Sequence, residues 1–294
     1  MLISTYKNTL KTLFRSALFW LTVLLVLALM VERGLSVQSS SAVVVNGRPT
    51  GEMIMDNEPE FREYIDHNFY VQTVQNSQNS WIMLYTMPLL AVISTMIILT
   101  RDYRDNLYEI EKAGGVRPSK YFFGRFAALV TVNFTACLIF GHVGLHTYFF
   151  SRGGPPDFFA NYLEYFMDST QRILRVFFGA QIFTLLFYIG ITYVFGCILH
   201  SGFMGGVAGI GSVLFVYLSQ TSIRHRMPTV YLDYLVPRSN NHYAYLGLYD
   251  SELFYHPYGN PFTVNDVMIC IVYLFVASLI FFTVSYIFTR KRSI

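Results

Sequence analysis

Six long apolar runs are the feature that most constrains how this chain can fold. They cover approximately residues 14–31, 81–100, 122–150, 174–199, 204–220 and 267–289. Each run is long enough, or nearly so, to cross the roughly 30 Å hydrocarbon core of a bilayer as a helix. A segment inside hydrocarbon has to satisfy its own backbone hydrogen bonds, which favours helices. The pattern predicts an all-α membrane protein in which residues 1–294 form a single domain with six transmembrane helices.

The composition agrees with a membrane protein and argues against two other classes. Hydrophobic residues make up 53% of the chain and charged residues only 13%, about half of the share that soluble domains usually carry. A chain this apolar is not intrinsically disordered, because disorder requires low hydrophobicity and high net charge. We therefore expect membrane lipids around the chain. The formal net charge is only +3, so we expect no nucleic-acid partner.

The distribution of basic residues predicts the orientation of the six spans. If the N-terminus is cytoplasmic, the inner segments are 1–15, 101–125, 200–203 and 290–294, and they hold 12 of the 21 Lys and Arg residues. The much longer outer segments hold 9 basic and 14 acidic residues. Because short cytoplasmic loops are enriched in Lys and Arg, both termini are predicted to lie in the cytoplasm.

The N-terminal residues 1–13 combine apolar and basic positions in a helical pattern. Lys7, Lys11 and Arg15 recur at every fourth position, which places them on one stripe of a helix. This pattern fits an interfacial helix on the inner membrane surface, and it fits equally well the basic flank of a long first span. That span is longer than the apolar core of a signal peptide and no clear small-residue cleavage site follows it, so we expect it to be retained.

Three outer segments differ in composition. Residues 32–80 are acidic and contain Asn46-Gly47, a pair typical of a β-hairpin turn. Residues 151–173 begin with a Gly-Gly-Pro-Pro break and continue with Phe and Tyr at helical spacing, while residues 221–266 are rich in Tyr and Pro. Amphipathic aromatic rings favour the membrane surface, so we expect short outer interfacial or re-entrant helices here.

The spans lack the charged groups that ion-driven transporters usually carry. No Asp, Glu, Lys or Arg lies in the central part of any span; Arg15, Arg125 and Arg175 lie at span ends, where we expect them to reach the aqueous surface. The chain also has no Gly-x-x-x-x-Gly-Lys-Ser/Thr sequence for binding a nucleotide. We therefore expect no enzymatic activity and no cofactor. If substrate is moved uphill, the energy enters from another protein.

The third span offers two candidate metal ligands, His142 and His146. They lie four positions apart, on one face of a helix, and this spacing can hold a metal ion. No Glu follows the first His as in a helical metalloprotease. The favoured interpretation is a polar patch facing the bundle interior or the outer water, so no metal site is predicted. A metal-dependent membrane enzyme is a minor alternative.

The charged inner loop at residues 101–117 gives the best-defined positive signal. An apolar stripe at helical spacing runs from Leu107 to Ala113, and Gly114-Gly115 is a typical helix end. The loop is predicted to contain a short helix parallel to the membrane. Such a helix is either a solvated connector or a lever on which a cytoplasmic partner pushes.

The same loop resembles the coupling-helix region of type 2 ABC exporter permeases. In that family a charged stretch with a Glu precedes a Gly, a short basic or Pro/Ser segment, and an aromatic-x-x-Gly-Lys/Arg motif that enters the third helix. The matching positions are Glu109 or Glu111, Gly114 or Gly115, Arg117-Pro118-Ser119 and Phe122-Phe123-Gly124-Arg125. The order of elements is similar over nearly the whole chain. The long acidic segment 32–80 is a departure, because many members lack it.

The resemblance implies a permease subunit in a bacterial cell membrane, driven by a separate cytoplasmic ABC ATPase that docks under residues 101–117. In this picture two glutamates make polar contacts with the ATPase, and Gly114 allows a close turn beneath it. The implied ATPase-coupling residues are Glu109, Glu111, Gly114, Gly115 and Arg117.

The resemblance also implies a second permease, identical or homologous, that faces this one. Gly205 and Gly209 would permit close helix packing near that interface. Apolar, aromatic walls suit an amphipathic or hydrophobic substrate that moves outward, such as a peptide, an antibiotic or a lipid-like molecule.

A function of a different class stays open from the sequence. A non-transporting membrane sensor or immunity protein would bind a cationic peptide at the outer surface, where 14 acidic residues are expected. Ligand binding without any ATPase partner distinguishes this alternative from a permease.

Overall fold

A computed structural model describes most of the apolar runs and the inner segments. The described residues are 2–36, 44–45, 48–49, 81–152, 182–218 and 264–291, together with positions 160, 162, 163, 166, 167, 170, 171 and 174. Most of the acidic segment 32–80 and nearly all of the aromatic segment 221–266 lie outside these residues. What the sequence predicts for those two segments therefore stays a prediction.

Eight helices make up nearly all of the described chain. In chain order they are α1 (Leu2–Phe14), α2 (Ala17–Ser36), α3 (Trp81–Arg104), α4 (Leu107–Ala113), α5 (Pro118–Arg152), α6 (Ile182–Ile198), α7 (Gly202–Leu218) and α8 (Val264–Lys291). Two strands of two residues each, β1 (Val44–Val45) and β2 (Arg48–Pro49), pair antiparallel on either side of Asn46-Gly47. Apart from this predicted hairpin, the all-helical fold class is confirmed for the described residues.

Each of the six apolar runs contains a described helix, but few of these helices meet the length and hydropathy of a complete span. Among the described residues, one helix, Pro118–Gly144 within α5, is long and apolar enough to cross a bilayer by itself. The bent pair of α1 and α2 adds a second if it counts as one span. α6 and α7 have 17 residues each, fewer than the about 20 that a straight span needs. The six transmembrane helices therefore stay a prediction.

The chain bends sharply between α1 and α2. The two helix axes differ by 68° across the break at Arg15-Ser16. The Trp20 indole N–H donates to the Phe14 carbonyl oxygen over 2.8 Å, and the two rings stack, which fixes the corner. The structure thus separates α1 from α2 by a bend, while the placement of α1 at the inner membrane surface stays a prediction.

α3 lies at the centre of the helical bundle. It packs against α2, α5, α6 and α7, whereas α8 packs mainly against α6. The residues at its middle are fully buried in one continuous apolar core, which includes Leu90, Ala91, Val92, Leu129 and Ile189. A helix surrounded by other helices is expected to be apolar on all sides. The middle of α3 meets that condition apart from Ser94 and Thr95, whose hydroxyls donate to the Ala91 carbonyl oxygen.

α6 and α7 form a tight hairpin around the short segment 200–203 that the sequence predicts to be an inner loop. His200 lies between them in a left-handed conformation with φ 50°, and the Ser201 N–H bonds to the Gly196 carbonyl over 3.1 Å. A Cβ on Gly205 would lie 2.6 Å from the Thr192 carbonyl oxygen. Gly205 therefore has to be glycine, because the two helices touch backbone to backbone.

Several segments predicted to be inner lie at the same end of the bundle. The Tyr103 ring near the end of α3 meets His200 in the α6–α7 turn, with ring centroids 6.2 Å apart. Phe122 in the first turns of α5 meets Tyr286 near the end of α8, at 5.6 Å. α1 packs against α5, and α4 connects α3 to α5. We call this end of the bundle the α4 end.

The outer faces of three helices are strongly apolar. Large side chains that are between two-fifths and two-thirds exposed include Leu21, Leu24 and Leu25 on α2, Phe203 and Leu214 on α7, and Phe275 and Ile280 on α8. Wide exposed apolar patches are rare on soluble monomers and mark membrane or protein contacts. These faces are accordingly suited to lipid or to another protein.

Candidate functional site

A buried aromatic ring holds α4 against the bundle. Tyr108 is 1% exposed, and its ring meets that of Tyr121 in α5 edge to face, with centroids 4.7 Å apart. Aromatic pairs in this geometry add about 0.5–1.5 kcal/mol to the burial of the rings. The next two residues, Glu109 and Ile110, are exposed, Ile110 by 61%. α4 therefore presents the charged Glu109 and Lys112 and the apolar Ile110 away from the bundle.

Two residues with left-handed backbone conformations mark the ends of α4. Asn106 precedes the helix with φ 48°, and Gly115 follows it with φ 82°. Asn tolerates this conformation, and glycine adopts it without strain. Gly114 has an ordinary φ of −76°, and its N–H bonds to the Ile110 carbonyl. The predicted helix end is confirmed, and Gly115 is the position whose backbone favours glycine.

A buried ion pair joins the end of α3 to the start of α5. Asp102 and Arg125 form a salt bridge, and their side chains are only 2% and 4% exposed. The Tyr121 hydroxyl donates to the other carboxylate oxygen of Asp102 over 2.7 Å. The Arg125 guanidinium also lies over the Tyr121 ring, 4.1 Å from its centroid. Each buried charge thus has an opposite charge and a further contact, as buried charges require.

The expectation that Arg125 reaches the aqueous surface is wrong. Its side chain lies inside the bundle because Asp102, on the neighbouring helix, supplies the opposite charge at the same depth. The expectation treated Arg125 as a lone charge, whose burial is prohibitive. Pairing removes most of that penalty.

α1 lies across the junction of α3, α4 and α5. The Thr5 hydroxyl donates to a carboxylate oxygen of Glu111 in α4 over 2.7 Å, and Arg101 of α3 donates to the Thr12 hydroxyl over 3.3 Å. A Cβ on Gly124 of α5 would lie 3.1 Å from the Thr5 Cβ, so glycine permits this close approach. α1 is therefore connected to all three elements.

The charges at the corner between α3 and α4 are partly exposed and paired. Arg104 Nε lies 2.7 Å from one carboxylate oxygen of Asp105, and Arg101 Nε lies 3.2 Å from the other. The hydrogen bond from Arg104 lowers the pKa of the Asp105 carboxyl, burial opposes that shift, and the hydrogen bond from Arg101 adds to it. The corner therefore keeps its ion pairs at neutral pH.

The five predicted coupling residues lie together on α4 and the turn that follows it. Glu109, Gly114, Gly115 and Arg117 are exposed, whereas Glu111 is partly buried and bonded to Thr5 of α1. One of the two glutamates is thus turned towards the protein's own N-terminal helix. No ATPase contact is tested by this geometry, so the coupling role of these residues stays a prediction.

Gly205 and Gly209, predicted to serve helix packing near a second permease, lie in contacts within this chain. Gly205 faces Gly196 of α6, and a Cβ on Gly209 would lie 2.7 Å from Val92 of α3. Both glycines therefore allow α7 to approach neighbouring helices closely. An additional place at an interface between two permeases stays a prediction.

Sequence reasoning missed Thr5, Asp102 and Tyr121 as members of this site. A signal for Asp102 was present, because Asp102 and Arg125 have opposite charge and flank adjacent apolar runs on the same predicted side of the membrane. Thr5 gave no such signal, since its role depends on where α1 lies after the bend.

His142 and His146 belong to a second polar cluster further along α5. His142 Nε2 lies 3.1 Å from the Thr170 hydroxyl, and His146 Nε2 lies 2.7 Å from the Tyr162 hydroxyl. The Phe166 ring stacks on His142, with centroids 4.4 Å apart. These contacts agree with a polar patch. The described part of the chain contains no group of three or more potential metal ligands.

Comparisons with known proteins assign neither a family nor an activity. The chain matches no protein-family profile, no curated protein and no solved structure. The resemblance to type 2 exporter permeases therefore rests on the charged inner loop and on the order of elements. The alternative of a peptide sensor depends on the acidic segment 32–80, nearly all of which lies outside the described residues.

Proposed function

We propose that this chain is the transmembrane permease subunit of an ATP-driven ABC exporter of the type 2 kind. A separate cytoplasmic ATPase supplies the energy, and a second permease, identical or homologous, completes the pathway. Both termini lie in the cytoplasm of a bacterial cell, and an amphipathic or hydrophobic substrate moves outward. The chain itself hydrolyses nothing.

The way in which α4 is attached to the bundle is the observation that supports the proposal. α4 connects two long apolar helices and exposes Glu109 and Ile110, while the buried Tyr108 packs against Tyr121 of α5. A partner that displaces α4 displaces Tyr121, and with it the Asp102–Arg125 pair that joins α3 to α5. A displacement of the seven-residue helix α4 is thereby transmitted to α3 and α5.

The contact of α1 with α4 refines this mechanism. Because Glu111 accepts a hydrogen bond from Thr5, we assign Glu111 to the connection between α4 and α1. Glu109 is exposed, so we assign it to the polar contact with the ATPase. The exposed Ile110 supplies the apolar part of the same contact.

The membrane setting is supported by helix length and by exposed apolar surface. α3, α5 and α8 have 24, 35 and 28 residues, and at 1.5 Å per residue they are about 36, 52 and 42 Å long. The apolar outer faces of α2, α7 and α8 suit lipid. We propose that α2, α3, α5, α6, α7 and α8 are the six spans and that α1 lies at the inner membrane surface.

The character of the bundle supports an apolar cargo. Between their ends, the six helices proposed as spans are almost free of charge, and the charge of Arg125 is matched by Asp102. A pathway for small ions is normally lined by carbonyl oxygens or rings of charge. An amphipathic or hydrophobic substrate fits these walls better.

The test is capture of the ATPase subunit encoded beside this chain, with the affinity tag on the full-length permease. We expect wild-type permease to co-purify with that ATPase and to stimulate its activity. Replacing both Glu109 and Ile110 by Ala removes the charged and the apolar side chain assigned to the ATPase contact, and hot-spot residues at the centre of an interface contribute about 2 kcal/mol or more. Capture should then fall at least about tenfold.

Leu163→Ala is the matched control. Leu163 is 72% exposed, similar to Ile110 at 61%, but it lies far from the α4 end, beside the cluster of His142 and His146. This variant should capture as much ATPase as the wild type. Equal capture by the α4 double variant, at an unchanged melting temperature, would remove the docking role. Transport by sealed vesicles that contain no ATPase would refute the proposal as a whole.

A further inference from the structure

A small cavity lies where α1, α3, α4 and α5 meet. Its volume is about 200 Å³. The side chains that line it include four cations and one carboxylate, namely Lys11, Arg15, Arg101, Arg125 and Glu111. Nothing in the proposed coupling mechanism requires so basic a cavity at this position.

The charges around the cavity leave an excess of positive charge. Arg101 and Arg125 are paired with Asp105 and Asp102. Lys11 and Arg15 form no ion pair with any acidic residue that the structure describes. Glu111, the one acidic group in the lining, already accepts the hydrogen bond from Thr5. The cavity therefore suits an anion.

A buried donor points to the same conclusion independently. Arg125 is 3% exposed, and its Nε–H has no hydrogen-bond acceptor among the described residues. Burying a donor without an acceptor is unfavourable, and the residue that carries this donor lines the cavity. Hydroxyl groups of Thr9 and Thr12 line the same space.

We infer that this cavity binds a phosphate group. The ammonium group of Lys11 and the guanidinium group of Arg15 supply the unpaired charge and the donors that phosphate oxygens accept. Drug-sized ligands fill pockets of roughly 300–1,000 Å³. A cavity of about 200 Å³ therefore suits a phosphate with little attached to it inside the pocket.

The position of the cavity favours a phosphate carried by a lipid. Arg15 lies at the bend between α1 and α2, and the neighbouring Phe14 and Trp20 are nearly half exposed. Such rings favour the headgroup level of a membrane. The phosphate of an anionic lipid in the inner leaflet would thus meet Lys11 and Arg15 at the cavity mouth. This lipid source rests on the proposed membrane placement, whereas the phosphate site itself depends on no ATPase.

The test measures binding by the purified full-length chain in a neutral detergent, by isothermal titration calorimetry. The two probes are dihexanoyl phosphatidylglycerol and inorganic phosphate, and dihexanoyl glycerol, which has no phosphate, is the blank. Replacing Lys11 and Arg15 by Gln removes the two unpaired cations at exposed positions. Because bonds to ionised groups are strong, we expect affinity to fall about tenfold or more.

Replacing Lys7 and Lys120 by Gln is the matched control. It removes the same charge from two exposed positions that do not line the cavity, so affinity should stay within about twofold of the wild type, as for charges that make no contact. Arg125→Lys is a second test variant, which keeps a positive charge opposite Asp102 but lacks the Nε–H donor. It should bind more weakly than the wild type.

The possible results separate the two sources and decide the inference. Binding of the phosphatidylglycerol alone, lost in the cavity variant and kept in the control, assigns a lipid headgroup. Binding of inorganic phosphate with the same dependence on the variants assigns a soluble phosphate source. If neither probe binds, or if both double variants lose affinity equally, the inference is overturned. None of these results depends on the ATPase. The phosphate site is therefore tested separately from the proposed permease function.

Discussion

Arg125 carries its charge into the interior of the helical bundle, where only a well-placed partner makes a cation tolerable. Asp102 is that partner, and Tyr121 contacts both charges, one through its hydroxyl and the other through its ring. Such a pair adds little to stability compared with a well-packed apolar substitute, but breaking it from one side is expensive. The pair is better understood as a rigid joint between α3 and α5.

Asp102→Asn tests this joint at the level of a single residue. The substitution leaves the Arg125 charge buried and uncompensated, which typically destabilises a protein by about 3–5 kcal/mol. We expect a clearly lower melting temperature of the purified chain in detergent. Asp105→Asn is the control, because Asp105 forms exposed ion pairs with Arg101 and Arg104 and its loss should change the melting temperature little. Equal shifts in the melting temperatures of both variants would show that the buried Asp102–Arg125 pair contributes no more to stability than the exposed ion pairs of Asp105.

At the scale of elements, most helix boundaries could be predicted from the sequence. Gly114-Gly115 ends α4, Pro118 begins α5, and the α6–α7 turn falls at His200, as the local signals indicate. These features depend on neighbouring residues, which a sequence displays directly. The contact between Thr5 and Glu111 joins residues that are far apart in the chain, so no local pattern reveals it. The ion pair of α3 and α5 differs in this respect, because Asp102 and Arg125 have opposite charge and flank adjacent apolar runs.

The packing of α1 depends on one glycine, and this gives a prediction for the element. A Cβ on Gly124 would lie 3.1 Å from both the Leu2 carbonyl oxygen and the Thr5 Cβ, so Gly124→Val should push α1 away from α5. Overpacking costs typically about 1–3 kcal/mol. Amide hydrogen exchange in residues 2–14 should therefore accelerate about five- to a hundredfold.

Gly211→Val is the matched control for that measurement. A Cβ on Gly211 in α7 would meet nothing within 4 Å, so the substitution adds the same bulk without a clash. Exchange in α1 should stay at the wild-type rate. Similar acceleration in both variants would mean that α1 does not depend on its contact with Gly124.

For the whole molecule, the pattern of basic residues and the packing of the bundle converge on one end. The segments that the Lys and Arg distribution predicts to be inner are the ones that meet at the α4 end. Packing alone does not say which side of a membrane this end faces. The distribution of Lys and Arg predicts which side of the membrane the α4 end faces, but it does not predict how the helices pack. The two sources of information are therefore independent.

This agreement leads to a prediction about topology, tested by labelling single cysteines with a membrane-impermeant maleimide. In a chain whose three native cysteines are replaced by Ala or Ser, Lys112→Cys, Ser201→Cys and Lys291→Cys all lie at the α4 end. Because we propose that the α4 end faces the cytoplasm, we expect none of them to react in intact cells and all of them to react after permeabilisation. Leu163→Cys, which is highly exposed next to the His142 and His146 cluster, should react in intact cells.

If the three α4-end positions labelled on different sides of the membrane, the bundle would not be a single six-span unit. If all three reacted in intact cells, α4 would face the exterior, out of reach of any ATPase.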